Sequence, residues 1–330
     1  MAVGGIIRGI GRGLTALAVA IFLVLLAMAL HFQLDPPQRH VAQAGTALVA
    51  GVLAVLWWRR SRAFWGLLAA VVAVAAVWYS TIRPSNDRIW APDVEFGVTG
   101  TVEGDIVTLN HVRNFDWSTP DSFTGGWETR SYRLSDLTSV DLISSVWANP
   151  AIAHTLMSFG FADGTHVVFS AEIRKEKGEA FTAIGGFFRK FDLVLIAADE
   201  RDILRLRTDV RRETVSLYRL TAPPGMMQRM FLNMVTLGND LDATPRFYNT
   251  ATSNCTTVLW QMAREVEPGL PLDHRVFLSG LIAGYLQRVG LLPADVPLAQ
   301  IEAQAKVPPV GPAGPDSTAF SARLRAGMGQ

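Results

Sequence analysis

The sequence predicts an α+β protein made of a three-helix membrane anchor followed by a water-facing domain. Three observations lead there: apolar runs crowd into the start of the chain, strand-like alternation dominates the middle, and helical spacing takes over later. Of the 330 residues, 49% are hydrophobic and only 18% charged, a balance that puts part of the apolar excess in lipid.

The first run, Leu14 to Phe32, contains no Asp, Glu, Lys or Arg. Crossing ~30 Å of hydrocarbon takes about 20 helical residues, so it has the length of a span. Val41 to Trp58 and Ala63 to Ile82 follow, separated by Arg59, Arg60, Ser61 and Arg62. A cleaved signal peptide is the competing reading of the first run, but no clear small-residue cleavage site precedes Asp35, and two more spans follow. Arg8 and Arg12 precede the first span and Arg59, Arg60 and Arg62 lie between the second and third, against Arg39 alone in the intervening loop. Basic residues are retained inside, so the expected topology is a bacterial inner-membrane protein with a cytoplasmic N-terminus and a periplasmic C-terminal domain. Trp57, Trp58, Trp78 and Tyr79 fall at span ends, as interfacial anchors do.

The expected domains are therefore 1–82, a transmembrane anchor; 83–305, a folded domain large enough for one core; and 306–330, a Pro/Ala-rich tail expected to be disordered. Val94 to Leu109 alternates apolar and polar residues as short strands do, and Ser131 to Trp147 gives mixed signals. Ile152 to Phe161 and Thr165 to Ile173 flank Ala162-Asp163-Gly164, a hairpin signal, and Phe191 to Ile196 is a further strand. Helical spacing marks Asp202 to Arg212, Met226 to Asp240, Cys255 to Val266 and Val276 to Val289.

A formal net charge of +1 without a sustained basic face argues against a nucleic-acid partner. The single cysteine, Cys255, excludes an intramolecular disulfide and a multi-cysteine zinc site; neither a metal nor a cofactor is expected. The basic residues Arg174, Lys175, Lys177, Arg189, Lys190, Arg201, Arg205, Arg207, Arg211 and Arg212 alternate with acids, which reads first as surface ion pairs and second as headgroup contacts.

Chemistry concentrates around Tyr248 to Thr257. Ser253 or Asn254 can cap the helix that follows, which puts Cys255 in its first turn. There the free N–H groups and the helix dipole favour thiolate over thiol. A lone cysteine is also commonly a small buried hydrophobe, so both readings stand at this point.

A thiolate nucleophile needs a base. His31 and His40 sit at the membrane and His274 in a Pro-rich segment, leaving His111, His154 and His166. With Gly164 left-handed, Ala162-Asp163-Gly164 makes a three-residue loop that pairs Phe161 with Thr165. Counting back sets Glu172 opposite His154 on one face, with Ser158 and Ser170, and sets His166 opposite Gly160, away from that site. A two-residue Asp-Gly turn would instead turn Glu172 to the other face, and Glu172 can also pair with Arg174 or Lys175. The candidate constellation is Cys255, His154 and Glu172, with Asn254 as a helper for the oxyanion. Trp147, Asn149 and Pro150, just before His154, are candidates to shape a substrate pocket.

The segments His111 to Trp117, Ser170 to Glu176, Asp199 to Asp202, and Tyr248-Asn249 through Asn254-Cys255-Thr256-Thr257 resemble the bacterial Lnb-type N-terminal periplasmic domain family, from about Val107 to about Arg264. That resemblance implies a permuted papain-like fold, similar to lecithin retinol acyltransferases and NlpC-type amidases, and lipoprotein N-acylation through a cysteine nucleophile. It implies Cys255 and His154 as catalytic pair, with Glu172 as the acidic member. The implied donor is a membrane lipid and the implied acceptor a lipoprotein. The chain departs from the acyltransferase pattern in carrying its membrane helices before the domain. Two other classes stay open: a cysteine amidase or peptidase acting on cell-wall peptides, and a non-catalytic periplasmic binding or assembly domain. An amidase needs a water-facing groove, an acyltransferase an apolar slot.

Overall fold

A computed structural model describes residues 2–312, 314 and 316–328. The chain forms two compact units, Met1–Pro84 with Thr182–Lys190, and Ser85–Phe181 with Phe191–Gln330.

The first unit contains α1 (Ala2–Gln33), α2 (Pro36–Trp58) and α3 (Ala63–Thr81). Each is long and apolar enough to cross a membrane. Val24, Leu48 and Val74 are more than half exposed, which is stable only if lipid is the solvent around them. Arg12 stacks 4.7 Å over the Trp57 ring and donates to the Trp57 carbonyl at 3.3 Å. The start of α1 therefore lies beside the end of α2, on the side of the Arg59 to Arg62 turn.

The second unit is α+β. Its strands are β1 (Thr99–Glu103), β2 (Ile106–Thr119), β3 (Ser122–Arg133), β4 (Leu137–Val146), β5 (His154–Phe161), β6 (His166–Arg174), β7 (Asp192–Asp199), β8 (Thr214–Arg219) and β9 (Lys306–Val307). They form one sheet in the order β1-β2-β7-β6-β5-β4-β8-β9, with β3 also paired to β2. Only β2 with β7 is parallel among these pairings.

Both sheet faces are covered, so β5, β6 and β7 are buried almost throughout. On one face Met157, Phe159, Val167 and Phe169 pack under α5 (Pro224–Ala243) and α6 (Cys255–Val266), with Phe231 edge-on to both Phe159 and Phe169. Burying each such side chain contributes about 1.5–3 kcal/mol. On the other, Leu156, Val168 and Ile196 meet α4 (Glu200–Arg205), which runs on into a π-turn over Leu206–Val210. Short helices α7 (His274–Phe277), α8 (Ile282–Arg288) and α9 (Leu298–Gln304) enclose a third apolar cluster beside Leu142 and Tyr218.

The structure departs from the sequence reading in three places. Strand β2 runs well past Leu109 because a bulge between Leu109 and Val112, with His111 at φ 61°, breaks the alternation without ending the strand. The helix expected over Val276 to Val289 is interrupted at Gly280, where a Cβ would stand 1.9 Å from the Pro150 carbonyl oxygen. The tail expected to be disordered instead pairs β9 with β8 and forms α10 (Ser317–Ala326). Its Phe320 is fully buried with Leu324 against Ile203 and Leu204, two large side chains in an otherwise Pro/Ala-rich stretch that composition averages away. Residues 313, 315, 329 and 330 of that tail lie outside the described residues.

Candidate active site

The β5–β6 hairpin sets the geometry. Phe159 pairs with Val167 and Gly160 with His166, the register of a three-residue loop. Gly164 has φ 85°, Phe161 N–H donates to the Thr165 carbonyl at 2.9 Å and Gly164 N–H to the Phe161 carbonyl at 2.9 Å. At the open end His154 Nε2 stands 3.0 Å from Glu172 Oε1 and 2.7 Å from Ser170 Oγ. Ser170 in turn donates to Glu172 Oε1 at 2.7 Å.

Cys255 arrives from the opposite face at the N-terminus of α6. Asn254 is the N-cap: its Oδ1 accepts from Thr256 N–H at 3.0 Å and Thr257 N–H at 2.9 Å, and the Thr257 hydroxyl closes a capping box. Its Nδ2 donates to the Thr250 carbonyl at 2.8 Å. The Asn254 amide thus holds the helix end and positions Cys255. The turn before it is tied by Asn249, whose Oδ1 accepts from Ala251 and Thr252 N–H, both at 3.0 Å.

The amphipathic pattern of α6 docks its first turn on β5. Val258, Leu259 and Met262 are buried while Gln261, Arg264 and Glu265 face out, and Thr256 Oγ1 meets Thr155 Oγ1 at 3.0 Å. Cys255 Sγ lies 3.9 Å from the Ala153 carbonyl oxygen and 3.8 Å from Thr256 Oγ1, near enough to His154 for the imidazole to act on the thiol. The His154 Nε2 is engaged by Ser170 and Glu172. Ser279 fixes the strand entrance, donating to the Ala153 carbonyl at 2.6 Å and accepting from Ala153 N–H at 2.8 Å.

Burial pushes the Cys255 thiol up, but the His154 charge and hydrogen bond outweigh it and bring it down to about 7. Burial pushes His154 down, and the Glu172 carboxylate more than reverses this, raising it to about 9. Glu172, pushed up by burial, is held well below the ordinary carboxylate range by His154, by Arg207 and by the Ser170 hydroxyl. The Cys255 and His154 shifts both run toward the thiolate–imidazolium pair.

The sequence reading missed Arg207, which it counted among surface pairs. Arg207 is 5% exposed, on the π-turn after α4, and donates to Glu172 Oε1 and Glu213 Oε2, both at 3.2 Å. Ser145 donates to the same Glu213 oxygen, so the carboxylate of Glu172 is backed by a buried polar chain. Tyr248 also stands near: burial, then the charges of Cys255 and Glu172, push its phenol up. Its position in the segment leading to Cys255 was the available signal. His111 instead stacks on Phe96 at 4.8 Å, and exposed Trp147 lies outside the lining of the cavity described next.

An apolar cavity of about 310 Å³ adjoins the site, within the range of small-molecule pockets. Thr155 and Thr256, the neighbours of His154 and Cys255, form part of its wall, with Met227, Met230, Leu259 and Leu286.

His166 sits in a separate cluster. Its ligand atom and those of Asp141 and Glu200 lie within 4.8 Å of one another, but Arg325 donates to Glu200 Oε1 and Oε2 and to Asp141 Oδ2, each at 2.8 Å. Arg219 pairs with Asp141 as well. Two guanidinium groups already supply the positive charge a metal would bring, so the cluster reads as a buried ion network.

Fold and site together define a membrane-associated α+β protein with a buried thiol and a partly buried imidazole and carboxylate gathered at the end of one hairpin. Residues 123–281 match the model of the Lnb N-terminal periplasmic domain family. The match includes His154, Glu172 and Cys255 and leaves out the His111 to Trp117 segment, whose Arg113 and Trp117 hydrogen-bond buried Asp202 as scaffold. No curated protein and no solved structure matches the chain.

Proposed function

We propose that this protein is an inner-membrane, periplasm-facing cysteine acyltransferase with a permuted papain-like domain, acting on the acyl groups of membrane lipid or lipoprotein. The observation that carries the reading is the conjunction of the Cys255, His154 and Glu172 cluster with an apolar cavity whose wall includes Thr155 and Thr256. An amidase working on polar peptides has no use for that lining.

In this mechanism the Cys255 thiolate attacks an ester carbonyl carbon. The N–H of Cys255, which no described residue accepts, is aimed from the helix start to hold the oxyanion. When the tetrahedral intermediate collapses, the C–O bond breaks and imidazolium His154 gives its proton to the departing alkoxide, leaving a thioester. An amine of a lipoprotein then attacks the thioester, loses a proton to His154, and the thiolate leaves. Glu172, braced by Arg207, orients the ring and stabilises its charged form. The three preceding helices keep the domain beside a donor that never leaves the bilayer. The arginine count around the spans supports a cytoplasmic N-terminus.

The test is to incubate the full-length protein with phospholipid vesicles and analyse the Cys255 peptide by mass spectrometry. A fatty-acyl mass on that peptide, labile to hydroxylamine and absent from Cys255→Ala, is expected. Peptide-amide cleavage without an acyl adduct would assign the site to an amidase, and neither product would leave a binding domain.

A further inference from the structure

We propose that Thr182–Lys190, the excursion between β6 and β7, is a fourth membrane-contacting element that lies in the lipid interface beside the ends of α1 and α3. The segment belongs to the helical unit rather than to the sheet unit that flanks it in sequence. Phe188 stacks on Phe32 in the last turn of α1 with ring centroids 5.6 Å apart, and its carbonyl accepts from Gln33 Nε2 at 2.7 Å. Arg189 donates to the Tyr79 carbonyl at 3.0 Å and the Ile82 carbonyl at 3.3 Å, a cation on the last carbonyls of α3. Its guanidinium also stands 4.5 Å over the Tyr79 ring.

These contacts hold the segment at the level where Trp78 and Tyr79 mark a span end. Its own fold then decides what it shows there. A 3₁₀ turn over Gly185–Phe188 brings positions three apart onto one side, and Phe187 N–H donates to the Ile184 carbonyl at 3.1 Å. Ile184 and Phe187 therefore share a face, and both are about half exposed, at 51% and 50%. Buried Gly185 and Gly186 form the inner side of the turn. The occupant that fits this apolar face is lipid, because the turn is held against the ends of helices whose own exposed residues require lipid.

The experiment uses the full-length chain, in which Cys255→Ser removes the sole cysteine and single cysteines are returned at Phe187 or Ile184 for nitroxide labelling. In vesicles of phosphatidylethanolamine and phosphatidylglycerol, the ratio of collision rates with oxygen and with a water-soluble nickel chelate reports depth. Labels at 187 and at 184 should give a ratio severalfold above that at Asp121→Cys, an exposed turn residue, and toward that at Leu48→Cys in α2. A ratio equal to that at 121 would overturn the proposal, since the segment then faces water. Shielding from both reagents would overturn it too, since protein then covers the face. Position 184 keeps the test decisive if the label at 187 prevents folding. The outcome is independent of whether Cys255 is a nucleophile.

Discussion

Two histidines stand on one face of the same hairpin, each with a carboxylate, a serine and an arginine: His154 with Glu172, Ser170 and Arg207, and His166 with Glu200, Ser158 and Arg325. The residue types match, although His154 stands 3.0 Å from its carboxylate and His166 4.0 Å from its own. The neighbours that long-range packing adds are not. At the open end the first turn of α6 delivers a thiol to the imidazole, and an apolar cavity begins at the next residues. At the closed end α10 delivers Arg325 onto fully buried Glu200 and Asp141, and the cluster is saturated with charge pairs. A histidine–carboxylate pair is thus reactive or structural according to what a distant element brings to its other side.

The sharpest way to break the comparison is to remove each histidine in turn and follow thioester formation on Cys255. We expect His154→Ala to lose about 10²–10⁴-fold, the usual worth of a positioned acid–base group, and His166→Ala to stay near the wild-type rate. Equal losses would mean that both ends serve the chemistry, or that neither does.

The converse test concerns stability. Arg325→Ala leaves two buried carboxylates without their shared partner, which costs about 3–5 kcal/mol and should lower the thermal midpoint of the domain. Thioester formation per folded molecule should remain. A variant of unchanged stability would show that the closed end is not a latch for α10.

A smaller effect separates orientation from proton transfer. Glu172→Gln keeps the shape but loses the charge under His154, and a hydrogen bond to a charged group is worth about 1.5–3 kcal/mol, on the order of 10- to 100-fold in rate. A loss as large as that of His154→Ala would give Glu172 a direct part in proton movement.

The smallest expected effect is in the pH profile. Below about 7 the Cys255 thiol keeps its proton and there is no nucleophile, and above about 9 His154 loses the proton the leaving group needs. Acyl-enzyme formation should therefore rise through the first value and fall through the second. Alkylation of Cys255 should follow the acid limb alone. In His154→Ala that limb should move up to the free-thiol value of about 8.5 or beyond, because burial is then opposed only by hydrogen bonds from the Thr155 backbone and the Thr256 hydroxyl. An unmoved limb would deny the pairing of thiol and imidazole.

Much of the architecture was legible in the sequence, because it rests on local rules. Charge-free runs of span length marked α1 to α3, three- and four-residue apolar spacing marked α5 and α6, and Ala162-Asp163-Gly164 set a register in which one glycine at positive φ suffices. That register alone brought His154 and Glu172 to one face, and the Asn-Cys step alone put Cys255 at a helix start. Only the tertiary structure decided the rest. Arg207 looked like one surface cation among ten until the π-turn after α4 folded it under Glu172. The cavity is assembled from β4, β5, α5, α6 and α8, no two of which announce each other by spacing. The order of the tail came from Phe320 and Arg325 finding partners far along the chain. Local periodicity records which way a side chain points. What it meets there depends on contacts between segments far apart in sequence, and those exist only once the chain has closed on itself.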